Sequence, residues 1–312
     1  MSDAIITLRP WMAQLDVSAV PCSPCWVIDQ DEIAANARQL ADVQARSGAR
    51  VLAAFKGFAN PQSLRIVRDH LAGAAVSSLH EAQLAAEIGF AEIHAYAPAW
   101  SAADLDAVAE LADHIVMNSS GQLQRLGGRA RRRGASMGLR INPEHREVEV
   151  PLYDPCAPGS RLGAVREHVD ETVIAAIDGI HIHNLCELGA DAAARTVAAV
   201  EARFADVLER VDWVNLGGGH HVTRPEYDRE ALVSLLRAVA DRWNVQVYIE
   251  PGEAVAIGCG VLIATVLELS KNRDVTNVIL DVSATAHMPD TLEMPYRPHI
   301  IGAGLPGEHP HT

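Results

Sequence analysis

Between Trp26 and Glu250, short apolar runs alternate with amphipathic helical stretches about eight times, and this rhythm restricts the fold more than any other feature. "ARVLAAFKG" is followed by "NPQSLRIVRDHLAG", "GAAVSSL" by "HEAQLAAEIGF", and "EIHAYAPA" by "SAADLDAVAELA". Later pairs include "IDGIHIHNL" with "AAARTVAAVEARFADVLERV" and "DWVNLGGG" with "DREALVSLLRAVADRW", before "NVQVYIEPG" closes the series. Parallel strands need helical crossovers, and strands buried on both faces read as continuous apolar runs. The expectation is an α/β fold, a (β/α)8 barrel, and not a sandwich. Asp29 or Asp31 caps the first long helix. The loop Pro143 to Gly163 is long and rich in Pro and Gly, as functional or mobile loops are. From about Val261 two β-rich segments surround a polar turn with no helix between them, the start of a separate β module.

Composition narrows the class. Hydrophobic residues make up 49% of the 312, enough for a large core, but aromatics only 4%, so Ala, Val, Leu and Ile must build it. A net charge of −14 repels nucleic-acid backbones and anionic membranes and favours cationic small molecules. The basic run "RARRRG" reads as a solvated helix end. The start "MSDAIITLRPWMAQLD" lacks a secretory pattern, and the apolar stretch around Ala254 to Val266 is too short and glycine-broken to span a bilayer. Five cysteines, an odd number, fit a reducing cytoplasm; Cys22 and Cys25 form a C-x-x-C without a second pair to complete a zinc site.

Barrel enzymes carry their chemistry at the C-terminal ends of the strands. Lys56 ends one predicted strand, His181 and His183 another, Asn215 with Gly217, Gly218 and Gly219 a third, and Glu250 a fourth. Each has an ordinary structural reading: a lysine stem lying along apolar surface, a hydrogen-bonded histidine, a tight turn. Together on one rim they point to pyridoxal phosphate (PLP). A desolvated lysine amine holds the aldehyde as an imine, the glycine amides hold the phosphate, and a carboxylate keeps the ring nitrogen protonated. A flat imidazole stacks on the ring. The rival is a metal centre built from His181, His183, His220 and His221, which leaves Lys56 and the glycines unused.

The stretches "SPCWVID", "AFKGFA", "SSLHEA", "RINPE", "PCAPGSRLG", "HIHNLCE", "NLGGGHH", "IEPGEA" and "LDVSATAHMPDTLEMPYRP" run from about residue 23 to 298. With them the chain resembles the PLP-dependent decarboxylases of alanine-racemase-like fold, and within these the carboxynorspermidine/carboxyspermidine decarboxylases. The resemblance implies that Lys56 carries the cofactor and His183 lies against its ring. It also implies that Gly217, Gly218 and Gly219 cradle the phosphate and Glu250 pairs with the ring nitrogen. Ornithine-decarboxylating relatives carry arginine after "EPG"; here Glu253 stands there, suited to a distal ammonium of the substrate. Asp290 and Asp281 are further candidates for amine contacts, with turn or cap roles as the alternative. The implied reaction is decarboxylation of carboxynorspermidine or carboxyspermidine to norspermidine or spermidine by a cytoplasmic homodimer with shared sites. No nucleic acid, membrane or metal takes part.

The expected organisation is an N-terminal segment, 1–28, associated with the β domain, a PLP-binding barrel over 29–260, and a partial β domain over 261–312. The family continues past "MPYRP" with a β segment whose "GPTC…D"-type cysteine and acid enter the partner's site. This sequence ends "HIIGAGLPGEHPHT", and none of its cysteines has that context. The expectation is a shortened β module and a weakened dimer interface. The alternatives are a non-catalytic PLP-binding paralogue or a decarboxylase or racemase acting on another amino acid.

Overall fold

The computed structural model describes residues 9–148, 153–293 and 296–304. Part of the long Pro143–Gly163 loop and of the "MPYRP" stretch, and the last residues of the chain, lie outside them. In chain order the elements are α1 (Pro10–Gln14), β1 (Cys25–Ile28), α2 (Gln30–Ser47), β2 (Arg50–Ala54), α3 (Pro61–Arg68), β3 (Gly73–Val76), α4 (Leu79–Ile88) and β4 (Ile93–Tyr96). Next come α5 (Ala102–Val108), β5 (His114–Met117), α6 (Ser120–Arg131), β6 (Ser136–Arg140), α7 (Glu171–Ile174), β7 (Gly179–His181), α8 (Ala190–Leu208) and β8 (Trp213–Asn215). The rest are α9 (Arg229–Trp243), β9 (Gln246–Ile249), α10 (Glu253–Ala256), β10 (Gly260–Ile263), β11 (Val266–Asn272), β12 (Val275–Leu280), α11 (Ala284–His287) and α12 (Asp290–Glu293).

Gln30 to Ile257 form one compact unit. Within it β2 to β9 close into a barrel, each strand parallel to its neighbours, with β9 completing the ring against β2. The reason is visible in the strands: Val51, Leu52, Ala53 and Ala54 of β2 are all buried, so both faces need cover. The helices supply it. On α2, Ile33, Ala37, Leu40 and Val43 recur at helical spacing and are fully buried. Starts are set by capping side chains: Asn60, Ser78, Ser101, Ser119 and Asp228 each accept the backbone N–H three residues on. Ends are set by left-handed residues, Gly89 after α4 and Asn244 after α9.

Few aromatics suffice because Trp213 fills the space that two strand glycines leave. A Cβ on Gly179 would lie 2.0 Å from the Trp213 ring, and one on Gly138 2.4 Å from it. Among the described residues, the crossover between β6 and β7 is mostly irregular chain, with a 3-10 turn at Arg166–His168 and the short helix α7 just before β7. Its Gly163 end is held at the C-terminal rim, where Ile141 bridges Ala164 and Asn118 accepts the Gly163 N–H at 3.0 Å.

The other unit joins the described residues up to Asp29 with those from Gly258 onward. There β1 pairs antiparallel with β10, Cys25 opposite Ile263 and Ile28 opposite Gly260. β11 and β12 form a hairpin that turns through Arg273 at φ 54°. Leu267, Leu269, Val275 and Val278 of this hairpin are exposed.

Candidate active site

The C-terminal ends of β2, β6, β7, β8 and β9 carry the polar residues. Lys56 lies two residues beyond β2, at the open mouth of the barrel. The glycine after it is a packing requirement: a Cβ on Gly57 would stand 3.0 Å from the backbone of Gly252 and Glu253. The turn after β2 thereby lies against the turn after β9. The Lys56 side chain reaches solvent, yet it is hemmed in enough that burial, followed by the Arg140 charge, lowers its pKa. Glu250, Glu81 and Cys186 pull the other way. Among the described residues it makes no ion pair.

Glu250 follows β9 and is buried. Its Oε1 accepts from Asn215 Nδ2 at 2.7 Å, and its Oε2 lies 3.4 Å from His181 Nε2. Burial alone would raise its pKa; the hydrogen bond from His181 and the Lys56 charge oppose that and hold the carboxyl below the usual range. It is a carboxylate at neutral pH.

His183 is oriented by the glycine turn. Gly218 N–H donates to its Nδ1 at 2.9 Å, while Gly217 N–H donates to Asn215 Oδ1 at 2.8 Å. Gly217 and Gly219 have φ of 69° and 84°, and a Cβ on either would meet a backbone oxygen at 2.2 Å. Two of the three glycine amides are thus used inside the protein, and Gly219 is partly exposed. The H-x-H spacing does place both imidazoles on one face: the His181 and His183 rings are 9° from parallel, centroids 6.3 Å apart.

Arg140 carries no role in the sequence reading, though it sits in the quoted "RINPE" stretch. It is buried at the end of β6, with NH1 donating to the Tyr96 hydroxyl at 2.7 Å and NH2 to the His183 carbonyl at 2.8 Å. Its guanidinium lies 4.9 Å from the Tyr96 ring centre. Among the described residues no carboxylate pairs with it, so it is a buried cation facing a site that can take an anion. The available signal was a charge at the end of a mostly apolar strand.

Glu253 is exposed and accepts from His221 Nε2 at 2.7 Å. Glu187 joins this pair, the three offering ligand atoms within 4.8 Å of one another. Asp281 and Asp290 belong to the other unit. Asp281 accepts from Ser23 Oγ at 2.7 Å and from Thr265 N–H at 2.8 Å; Asp290 begins α12 and accepts from the Tyr296 hydroxyl at 2.6 Å. The histidine set His181, His183, His220 and His221 does not gather around a common point among the described residues. A second group, Glu92, His94 and His114, sits at the opposite, N-terminal ends of the strands. Its imidazoles are stacked at 4.0 Å and 15°, and two nearly parallel rings cannot both aim an in-plane lone pair at one ion.

No protein-family model matches the chain. Among curated proteins it is 39% identical over 283 residues to the carboxynorspermidine/carboxyspermidine decarboxylase of Campylobacter jejuni, covering 91% of this chain and 73% of that one. It is 40% identical over 291 residues to the carboxyaminopropylagmatine decarboxylase of a Synechocystis strain, covering 93% and 75%. The crystal structure of Campylobacter jejuni carboxynorspermidine decarboxylase complexed with norspermidine matches with a TM-score of 0.81 at 39% identity, over 88% of this chain and 71% of that one. Diaminopimelate decarboxylase from Helicobacter pylori shares the fold at 18% identity and a TM-score of 0.71. With this identity along nine-tenths of its length and the same barrel, the chain belongs to the carboxynorspermidine/carboxyspermidine decarboxylase family.

Proposed function

We propose that the chain is a PLP-dependent decarboxylase that removes the carboxylate of a carboxylated polyamine, carboxynorspermidine or carboxyspermidine. The observation that carries this reading is a buried Glu250 side chain, held by Asn215 and His181 after β9, on the same C-terminal rim as Lys56 after β2. PLP held on a lysine supplies an electron sink for the pair released when CO2 departs. The residues fit it. The Lys56 amine, with its lowered pKa, is more readily available as a nucleophile than an ordinary lysine. Glu250 would hold a proton on the ring nitrogen. His183, kept in place by Gly218, would lie against the ring. The turn Gly217, Gly218 and Gly219 would lie along the phosphate, and Gly219, the partly exposed member, would offer its N–H. Arg140 offers its charge to an anionic group of the cofactor or substrate.

Glu253 would pair with a distal ammonium, and Asp281 and Asp290 are further candidates for amine contacts. The net charge of −14 favours a cationic substrate. The reading includes a cytoplasmic homodimer with shared sites; among the described residues no helix is long and apolar enough to cross a membrane, and the exposed apolar hairpin offers surface for a partner copy. The non-catalytic alternative is set aside, since the rim residues are present and the relatives are named as decarboxylases. The Synechocystis relative favours one neighbouring reading, a substrate with a guanidinium tail.

The test is the visible spectrum of the purified chain with PLP, borohydride reduction and peptide mapping, then CO2 release from the three carboxylated polyamines. An adduct on Lys56, lost in Lys56→Ala, with turnover of a carboxylated polyamine is the expected result. Adducts scattered over other lysines, or no turnover of any of the three, overturns the reading.

A further inference from the structure

His181 has no part in the reading above, yet its surroundings are specific. In strand register it stands between Arg140 on β6 and Asn215 on β8, forming one polar row across three neighbouring strands. Its ring is 1% exposed, parallel to His183 and stacked at 5.2 Å against Tyr96. Its Nε2 faces Glu250 Oε2, while its Nδ1 is buried without a partner. The hydrogen-bond network therefore assigns the proton to Nε2, where it meets an acceptor; on Nδ1 it would meet none. The charged and titratable groups around the ring are Glu250, Arg140, Lys56, His183 and Tyr96.

We propose that His181 is the positioning residue for Glu250, donating Nε2–H to one carboxylate oxygen while Asn215 holds the other. This rests on the cofactor reading, because it gives Glu250 its orientation and charge for the ring nitrogen. The residue type fits the task. A neutral imidazole gives one donor and no charge. Lysine or arginine would bring a full positive charge and compete with a protonated ring for the same carboxylate. An apolar side chain would leave a buried carboxylate oxygen with no donor and favour its protonated form. The two histidines of H-x-H thus divide their work: His183 faces the ligand, and His181 faces the acid that serves it.

Three variants test this. His181→Gln keeps an N–H near the place of Nε2; His181→Asn is polar but too short to reach; His181→Met has similar bulk and no donor. Each is loaded with PLP, and the pH dependence of its visible absorption and its PLP dissociation constant are measured beside kcat and KM. The Gln variant is expected to follow wild type. The Met and Asn variants are expected to shift the pH midpoint of the absorption and weaken PLP binding about tenfold, as for one lost hydrogen bond to a charged group. Their kcat should fall while KM holds. If Met fails to fold, by circular dichroism, Asn carries the comparison. Equal behaviour of Gln and Asn, whether both resemble wild type or both are impaired, overturns the proposal. Absence of a Lys56-bound band in wild type would instead overturn the cofactor reading.

Discussion

The backbone N–H of Gly218 donates to Nδ1 of His183 at 2.9 Å, which ties the imidazole to the glycine turn. An Nδ1 that accepts is unprotonated. Burial first, then the charges of Lys56 and Arg140, pushes the His183 pKa well below the imidazole range. His183 is therefore expected to stay neutral from about pH 6 to 8, where a free imidazole titrates. NMR of the ring protons checks this: its resonances should hold still while those of exposed histidines move. Gly218→Ala should remove the restraint and strain the turn, since its Cβ would lie 2.5 Å from the Glu250 carbonyl oxygen. A loss of about 1–3 kcal/mol in a denaturation midpoint is expected.

Lys56 yields a prediction of opposite sign. Its pKa is lowered in the folded chain, so at neutral pH the folded state carries a proton it holds poorly. Between the folded and unfolded pKa values the unfolded chain binds more protons, and stability rises with pH there. Lys56→Met should stabilise the cofactor-free protein at neutral pH by about 0.5 kcal/mol or less, the amine being open to solvent. The gain should vanish as the pH passes the unfolded value of about 10.4. Urea titrations at the two pH values separate this from a general packing effect, which would persist.

Glu250 contributes to the acid limb. Its pKa is depressed, so its stabilising contribution is present above the unfolded value of about 4.3 and is lost as the pH falls through the lower folded value. Glu250→Gln should flatten this part of the stability curve. It should also lower kcat about a hundredfold, the scale of one misplaced electrostatic group in an active site. An acid limb unchanged in the variant would mean that other carboxylates set it.

The barrel strands were legible because each is buried on both faces: "HIVM" has no polar interior position to hide. The site lysine and acid were legible as polar residues at the ends of such runs. Glycines inside "SMGLR" and "GIH" also carried information, since both mark the close approach of Trp213. Arg140 was not singled out, because a charge in a strand does not say which neighbour it faces until register pairs it with His181. The Gly218 amide, spent on His183 and not on a ligand, depends on a turn geometry no spacing encodes. The cluster of Glu92, His94 and His114 was out of reach for the same reason: barrel closure, not sequence proximity, adds Arg50 and Tyr248 to it.

Glu253 tests what the rim selects. Glu253→Gln keeps the shape and the hydrogen bond to His221 while deleting the charge. The expected outcome is a KM for the carboxylated polyamine raised about fivefold with kcat unchanged, the scale of a partly exposed ion pair. The effect should shrink at high salt. A KM that does not move would remove Glu253 from the substrate contacts.

Glu92 gives a prediction at the far end of the barrel. One of its oxygens lies 2.8 Å from His94 Nε2 and 3.2 Å from His114 Nε2 and accepts from the Tyr248 hydroxyl at 2.9 Å; the other accepts from Arg50. Burial would raise its pKa, but the donors from His114, His94 and Tyr248 hold it far below the usual range. Removing that anion leaves the imidazole donors of His94 and His114 unpaired and releases a half-exposed Arg50 to solvent, so Glu92→Leu should cost about 2 kcal/mol. The loss should appear in urea denaturation, leaving PLP binding at the opposite rim intact. Because the stacked rings of His94 and His114 cannot share an ion, zinc or a chelator should leave the midpoint where it was. A zinc-dependent rise, abolished in Glu92→Leu, would mean that one ring turns to bind metal and that the cluster is more than a hydrogen-bonded plug.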